Sequence, residues 1–409
     1  MRELYKARRK ALINKIKNKQ GDQFVIALFA FIEHERAIPR QESSFYYFTG
    51  ITDPGCVAIF DQEDNYIVYT PKYQIDRTVW EEGSLSHQDY YNLGVKEIRP
   101  LGESFPGYHT THLCSASHYQ HFISFCNDLY KSEKKIATAL PSGKQGYIDQ
   151  GILLSRLASF HPFLNEQLID ISDSIHEMRR TKNQYEIDCL QKAIDITIKA
   201  HHKAAEIIAS GNATEKDVQM GLEKVMFDHG TVPAFPSIVA GGKNATILHY
   251  TKNSAPLRNG DLVVVDIGAE YNYYCADITR TYSVSGKFTE RQQFLYNLVL
   301  DTQSYIGSKA KPGMWLNNKD KPKQSLHYLA QQFLRDAGGY DKYFPHGIGH
   351  YLGMDTHDVG DYKAPLQEGD VITIEPGIYI KEEGIGIRIE DDYLVTKNDC
   401  VCLSEKLPK

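Results

Sequence analysis

Five side chains able to bind metal or move protons recur through the second half of this 409-residue chain: Asp266, Asp277, His350, Glu375 and Glu390. Asp266 closes the apolar run Leu262–Val265, and Asp277 opens DITRTYSV. His350 lies in the glycine-rich HGIGHYLGMDTHD, and the two glutamates lie in VITIEPGIYIKEEGIGIRIEDDY, Val371–Tyr393. Alternation along a strand puts Val371, Thr373 and Glu375 on one face, and Arg388 and Glu390 on one face of the next strand. Carboxylates are rarely set among aliphatics unless paired or bound to metal. Four carboxylates and one imidazole suit a pair of hard divalent cations. Mn2+ is favoured over a structural zinc, which draws on Cys and His. Cations held about 3.5–4 Å apart by bridging carboxylates lower the pKa of a shared water.

Each residue also has a plainer use. A strand-end aspartate is more often a turn residue, and a histidine among glycines can be a hydrogen-bonded core group. Glu375 and Glu390 could pair with Arg388 as a buried salt bridge. Five such coincidences, in this order and on polar strand faces, are less economical than one site.

Several elements must position these groups. Leu262–Asp266 and Asp277–Ser283 read as strands joined by the turn-like AEYNYYCA, a hairpin. A long helical pattern is predicted from Ile175 to Ile208, and another helix from Glu215 to His229 with Thr214 as its N-cap. Strand-rich chain runs from Ser237 to Ser283, helices from Thr289 to Ala310 and Lys323 to Ala337, and β structure from Pro345 onward. Two successive blocks of helices then strands suggest two related halves. Before Asp173 the pattern differs. A basic helix over about residues 1–20 precedes strands at Phe24–Phe31, Val57–Phe60 and Tyr66–Tyr69, then helices at Phe122–Lys131 and Gln150–Phe160. This alternation reads as an α/β domain over 1–172, followed by a second domain over 173–409. The length supports about two or three domains. The aromatic cluster Phe45–Phe48 is expected in the core, with a subunit interface as the alternative.

A net charge of −6 with dispersed charges argues against nucleic acid as a partner. The apolar run Phe24–Ile32 lies too late for a signal peptide, and no stretch approaches the roughly 20 apolar residues of a membrane span. Seven cysteines without a CxxC pair read as free thiols in a reducing compartment, so the expected location is the cytoplasm. His118, His121, His201 and His202 lack framing acids and read as packing or surface residues.

The motifs VVVDIGAEYNYYCADITRTY (Val263–Tyr282), HGIGHYLGMDTHDVG (His346–Gly360), ITIEPGIYI (Ile372–Ile380) and GIGIRIEDDYLVT (Gly384–Thr396) together resemble the pita-bread metallopeptidases, in the aminopeptidase P and prolidase branch. MRRTKNQYEID (Met178–Asp188) is similar to the helix leading into that family's catalytic domain, and AGGKNATILHY (Ala240–Tyr250) to its substrate-side loop. RQESSFYYFTGITDPG (Arg40–Gly55) is similar to the aminopeptidase P N-terminal domain.

The resemblance implies an α+β protein. Its pita-bread catalytic domain would have a curved antiparallel sheet flanked by helices, after a smaller creatinase-like, RNase H-like α/β domain. It implies that Asp266 and His350 each bind one metal, that Asp277 and Glu390 bridge both, and that Glu375 binds metal and passes protons. His249 and His357 would bind the scissile carbonyl, His346 would shape a proline pocket, and Arg388 would orient the site. The cofactors would be two divalent ions, Mn2+ first, then Co2+ or Zn2+. The substrates would be peptides with an N-terminal Xaa-Pro, and the assembly a homodimer or homotetramer. Phe235 stands where relatives often carry tyrosine, and Thr356 where they usually carry Ile or Val, a change that packing should absorb. Around Trp80 the chain lacks arginines seen in some relatives. The implied activity is Xaa-Pro aminopeptidase, with Xaa-Pro dipeptidase as the alternative. A catalytically inactive binding module is disfavoured because all five ligands are kept.

Overall fold

The structure is a computed structural model, described here for residues 1–33, 39–81, 84–140 and 147–409. It divides into two compact units, Met1–Met178 and Arg179–Lys409.

The first unit is built on a six-stranded mixed sheet. Its strands are β1 (Phe24–Phe29), β2 (Val57–Phe60), β3 (Tyr66–Thr70), β4 (Glu97–Pro100), β5 (Lys135–Thr138) and β6 (Leu168–Asp170), in the order β4-β3-β2-β1-β5-β6. β1 is buried along its whole length, which is why it reads as an unbroken apolar run rather than an alternating one. Helices Arg2–Gln20, Gln120–Lys131 and Ile148–Phe160 alternate with the strands, so the unit is α/β. The cluster Phe45–Phe48 lies in a short helix, Ser43–Thr49, whose Phe45 and Phe48 are fully buried. Glu42 caps that helix by accepting from the Ser44 and Phe45 amides. The cluster is therefore core.

The single helical pattern expected from Ile175 to Ile208 is two helices, Ser172–Arg180 and Gln184–Ala209. Between them Thr181 bridges to Asp370, and the Lys182 amide donates to Gly369 O at 2.9 Å. Asn183 then starts the next helix in a reciprocal capping box with Glu186. Apolar periodicity runs through the junction and hides it.

Helix Glu215–Asp228 follows, with Thr214 as its N-cap. Next come β7 (Val232–Pro233), β8 (Ile238–Gly241), β9 (Leu262–Ile267), β10 (Ala269–Tyr271), β11 (Tyr274–Cys275) and β12 (Ile278–Ser283). Helices Glu290–Lys309 and Leu326–Asp336 then precede β13 (Val371–Ile374), β14 (Gly377–Ile380), β15 (Ile385–Arg388), β16 (Asp391–Val395) and β17 (Cys400–Cys402). Helices then antiparallel strands thus occur twice. β12-β9-β8 form one sheet and β13-β16-β17 another, while β14 pairs with β15. The first half packs Ile196, Leu222, Val263 and Val265 into its core; the second packs Leu295, Ile306, Ile372 and Ile389. An isolated bridge between Thr279 and Glu390 joins the two halves, and the site forms there.

Candidate metal centre

β9 and β12 pair antiparallel, with Asp266 opposite Thr279 and Ile267 opposite Ile278. The connection holds the β10–β11 hairpin, whose turn residues Asn272 and Tyr273 both adopt positive φ (49° and 69°). Gly268 is required here, because a Cβ would lie 1.7 Å from Ala276 O. This fold-back brings Asp277 beside Asp266.

The two glutamates come from one antiparallel ribbon with a break in it. Ile374 pairs with Asp391 on one side of the break and Gly377 with Arg388 on the other. Pro376 has no amide hydrogen to give the ladder, so pairing lapses at Glu375–Pro376 and Ile389–Glu390. Each glutamate thus stands just past a strand, beside the break. Glu390 donates its amide to Thr279 O (3.1 Å), and its Oε2 accepts from Thr279 Oγ1 (2.7 Å).

His350 is carried on an irregular segment laid along β13. Its amide donates to Thr373 Oγ1 (3.2 Å), and its carbonyl accepts from the Thr373 amide (2.9 Å). Gly349 permits this approach, since a Cβ would lie 1.9 Å from Thr373 O. His350 Nδ1 faces Tyr351 O at 3.0 Å, so Nδ1 carries the hydrogen. In the neutral ring Nε2 then presents a lone pair to Asp277 Oδ2 (3.4 Å) and Glu375 Oε1 (3.6 Å). A cation between them would satisfy all three.

Ligand atoms of Asp277, His350 and Glu390 all lie within 4.8 Å of one another. Burial pushes the Asp277 and Glu390 carboxyls well above the usual range, and the surrounding acids add to the effect. Burial also raises Glu375. Asp266 Oδ1 is buried without a hydrogen-bond partner. Buried acids short of positive charge, an orphaned oxygen and an aimed imidazole lone pair together fit divalent metal.

Arg388 pairs with Asp266 rather than with either glutamate, Nη2 to Oδ2 at 2.5 Å. It also donates to Tyr379 Oη (2.9 Å) and Thr279 Oγ1 (3.2 Å). Burial opposes its charge, but Tyr379, Asp266 and Glu390 keep it protonated. Tyr379 in turn donates to His346 Nε2 (3.0 Å), whose Nδ1 donates to Gly347 O (2.8 Å). Burial lowers His346 to about 3, so it is neutral. Tyr379 was missed in sequence, although it shares a strand face with Gly377 and so faces the same way as the break.

These groups wall a cavity of about 550 Å3. Phe235, His249, His346, Thr356 and His357 line it with the four acids and one histidine named first. The His357 ring centroid is 4.3 Å from that of His350, nearly perpendicular. Desolvation, then the neighbouring His350 and His249, hold His357 down to about 4. Thr356 places a buried, unpartnered hydroxyl in the wall, so its difference from Ile or Val is polar as well as steric. His201, by contrast, is fully buried between Ile278 O and Tyr282 Oη, a packing residue. The seven cysteines are free, and no helix among the described residues is long and apolar enough to cross a membrane.

Residues 188–397 match the family described as metallopeptidase family M24, and residues 5–104 match the aminopeptidase P N-terminal domain. The chain is 38% identical over 269 residues to the Xaa-Pro aminopeptidase of Haemophilus influenzae, a match spanning 59% of this chain and 62% of that protein. It is 30% identical over 438 residues to the Xaa-Pro aminopeptidase of Escherichia coli K12, covering 97% of this chain and 93% of that one. The solved structure of E. coli aminopeptidase P with the inhibitor Pro-Leu superposes with a TM-score of 0.81 at 27% identity, covering 100% of this chain and 96% of that one.

Proposed function

The chain belongs to metallopeptidase family M24, with the two-domain fold of aminopeptidase P, and from that premise we propose that it is an Xaa-Pro aminopeptidase. It releases the N-terminal residue from peptides with proline second. The observation that carries this is His350 Nε2, aimed between Asp277 and Glu375 at the wall of a cavity that three further histidines line.

Asp266, Asp277, His350, Glu375 and Glu390 would hold the two ions, with Asp277 and Glu390 shared between them and Asp266 and His350 each serving one. The oxygen-rich shell favours Mn2+, with Co2+ or Zn2+ as alternatives. When bound, two such ions supply Lewis acidity and an acidified water. Glu375, whose burial raises its proton affinity, takes the proton from the attacking water and gives it to the departing proline nitrogen. His357, neutral at pH 7, and His249 present N–H groups to the scissile carbonyl oxygen as charge develops there. His346 packs edge-on to Phe344, ring centroids 4.9 Å apart, as a rigid wall for the proline ring. Arg388 holds Asp266, Tyr379 and Thr279 in register.

The proline peptide bond lacks the N–H that extended-substrate proteases grip. A site working through the carbonyl and the free amino terminus does not need it. Free thiols fit a cytoplasmic location. A homodimer or homotetramer is the expected assembly. The test is Mn2+-dependent hydrolysis of Arg-Pro-Pro against Ala-Pro. Preferred cleavage of the tripeptide supports the aminopeptidase, preferred cleavage of the dipeptide supports the Xaa-Pro dipeptidase, and cleavage of neither points to an inactive binding module.

A further inference from the structure

The cavity-lining residues Leu248, His249 and Thr251 sit on the loop between β8 and β9. That loop has little regular structure: one 3-10 turn, Gly242–Thr246, and then irregular chain. Something else must hold it. Glu215, the first residue of helix Glu215–Asp228, lies behind the loop and is fully buried. Its Oε1 accepts from the Gly241 amide (2.9 Å) and Asn244 Nδ2 (2.8 Å). Its Oε2 accepts from Tyr250 Oη (2.8 Å) and the Ala255 amide (2.7 Å). The Glu215 amide closes the arrangement by donating to Ala255 O (2.9 Å).

One carboxylate thus gathers the start of the loop, its 3-10 turn, the residue next to His249 and its far end. Burying a carboxylate is costly, and two donors on each oxygen are what makes it tolerable. Gly241 fits because a Cβ there would lie 2.5 Å from Leu257 Cδ2 and 3.5 Å from Glu215 Oε1. The four donors fix where the Cα of residue 249 stands, and so where its ring reaches into the cavity.

We infer that Glu215 is a positioning residue for His249, setting the loop that aims this imidazole at the scissile carbonyl. The inference rests on the role given to His249 above. Glutamine cannot replace Glu215 without loss. Tyr250 and Asn244 can turn to offer an acceptor, but the amides of Gly241 and Ala255 only donate. Whichever way a glutamine amide is turned, its NH2 faces one of those two backbone N–H groups.

The test is a double-mutant cycle on the full-length, Mn2+-loaded enzyme with Arg-Pro-Pro as substrate: wild type, Glu215→Gln, His249→Ala and the double variant. A displaced His249 should lower kcat about 10- to 100-fold in Glu215→Gln, with metal content as in wild type. The loss should vanish in the His249→Ala background, because the group that Glu215 aims is gone. A loss of equal factor in both backgrounds, or unchanged kcat in Glu215→Gln, overturns the inference while leaving the role of His249 intact. Full kcat in His249→Ala overturns that role and the inference with it. If Glu215→Gln does not fold, Tyr250→Phe decides: it removes one of the four donors, and a several-fold loss of kcat confined to the His249-containing background is expected. An equal loss in both backgrounds counts against the inference.

Discussion

Arg388 Nη2 lies 2.5 Å from Asp266 Oδ2, while Asp266 Oδ1 is buried with no hydrogen-bond partner. One oxygen of this aspartate is thus fixed by a guanidinium and the other is left without a partner, as a metal ligand held by a neighbouring cation should be. The same guanidinium reaches Tyr379 and, through it, His346.

Arg388→Lys should therefore be far from conservative. Lysine keeps the charge but cannot serve Asp266, Tyr379 and Thr279 at once. A fall of about 10- to 100-fold in kcat/KM is expected from the loss of buried, charge-assisted hydrogen bonds. Steady-state kinetics on an Xaa-Pro-Pro peptide measures it, and an unchanged kcat/KM would show that the fork does not matter.

His357→Ala separates the histidines that act on substrate from the one that binds metal. Its ring borders His350 but reaches the cavity on its own. Turnover should fall about 100-fold, as for loss of one oxyanion donor, with metal content unchanged. A normal rate would remove His357 from the catalytic set.

The candidate site could be picked out in the sequence because strand-end acids and a histidine among glycines break the apolar patterns around them. Asp266 after Leu262–Val265 is such a break. The cap at Thr214 was equally legible, being local. Three things were not. The junction at Thr181–Asn183 is set by pairing with Gly369 and Asp370, far along the chain. The partner of Arg388 depends on how two hairpins meet, which no periodicity encodes. Glu215 reads as an ordinary first-turn acid, and only the fold brings Gly241, Asn244, Tyr250 and Ala255 to it.

The segment from His350 to His357 is anchored at Asp358, whose Oδ1 takes Arg179 (2.5 Å) and Oδ2 takes Lys182 (3.2 Å), all three side chains nearly inaccessible. Lys182→Met removes one cation and leaves the acid half-compensated. A loss of about 3 kcal/mol is expected, the lower end for a broken buried pair because Arg179 remains. It should appear as a thermal midpoint lower by several degrees. Asp358→Asn added to it should recover part of the loss, and a deeper loss would mean that Lys182 acts elsewhere.

His201 should make stability fall in mild acid. Burial, then the nearby Arg280, lowers it from 6.5 to about 3, so the unfolded chain binds a proton between those values and the folded one does not. Its contribution is present above pH 6.5 and lost as pH falls toward 3. From pH 7.5 to 5.0 that amounts to about 2 kcal/mol. Thermal denaturation at the two pH values, wild type against His201→Gln, checks the sign. The wild type should lose more, and equal losses would show that His201 is not the group responsible.

The most direct measurement is the metal content of the chain together with its turnover of Arg-Pro-Pro, in wild type and in Glu390→Ala. The expected result is two divalent ions per chain and Mn2+-dependent hydrolysis in wild type, and loss of both in the variant. Undiminished turnover in metal-free Glu390→Ala would contradict a shared site built from Asp266, Asp277, His350, Glu375 and Glu390.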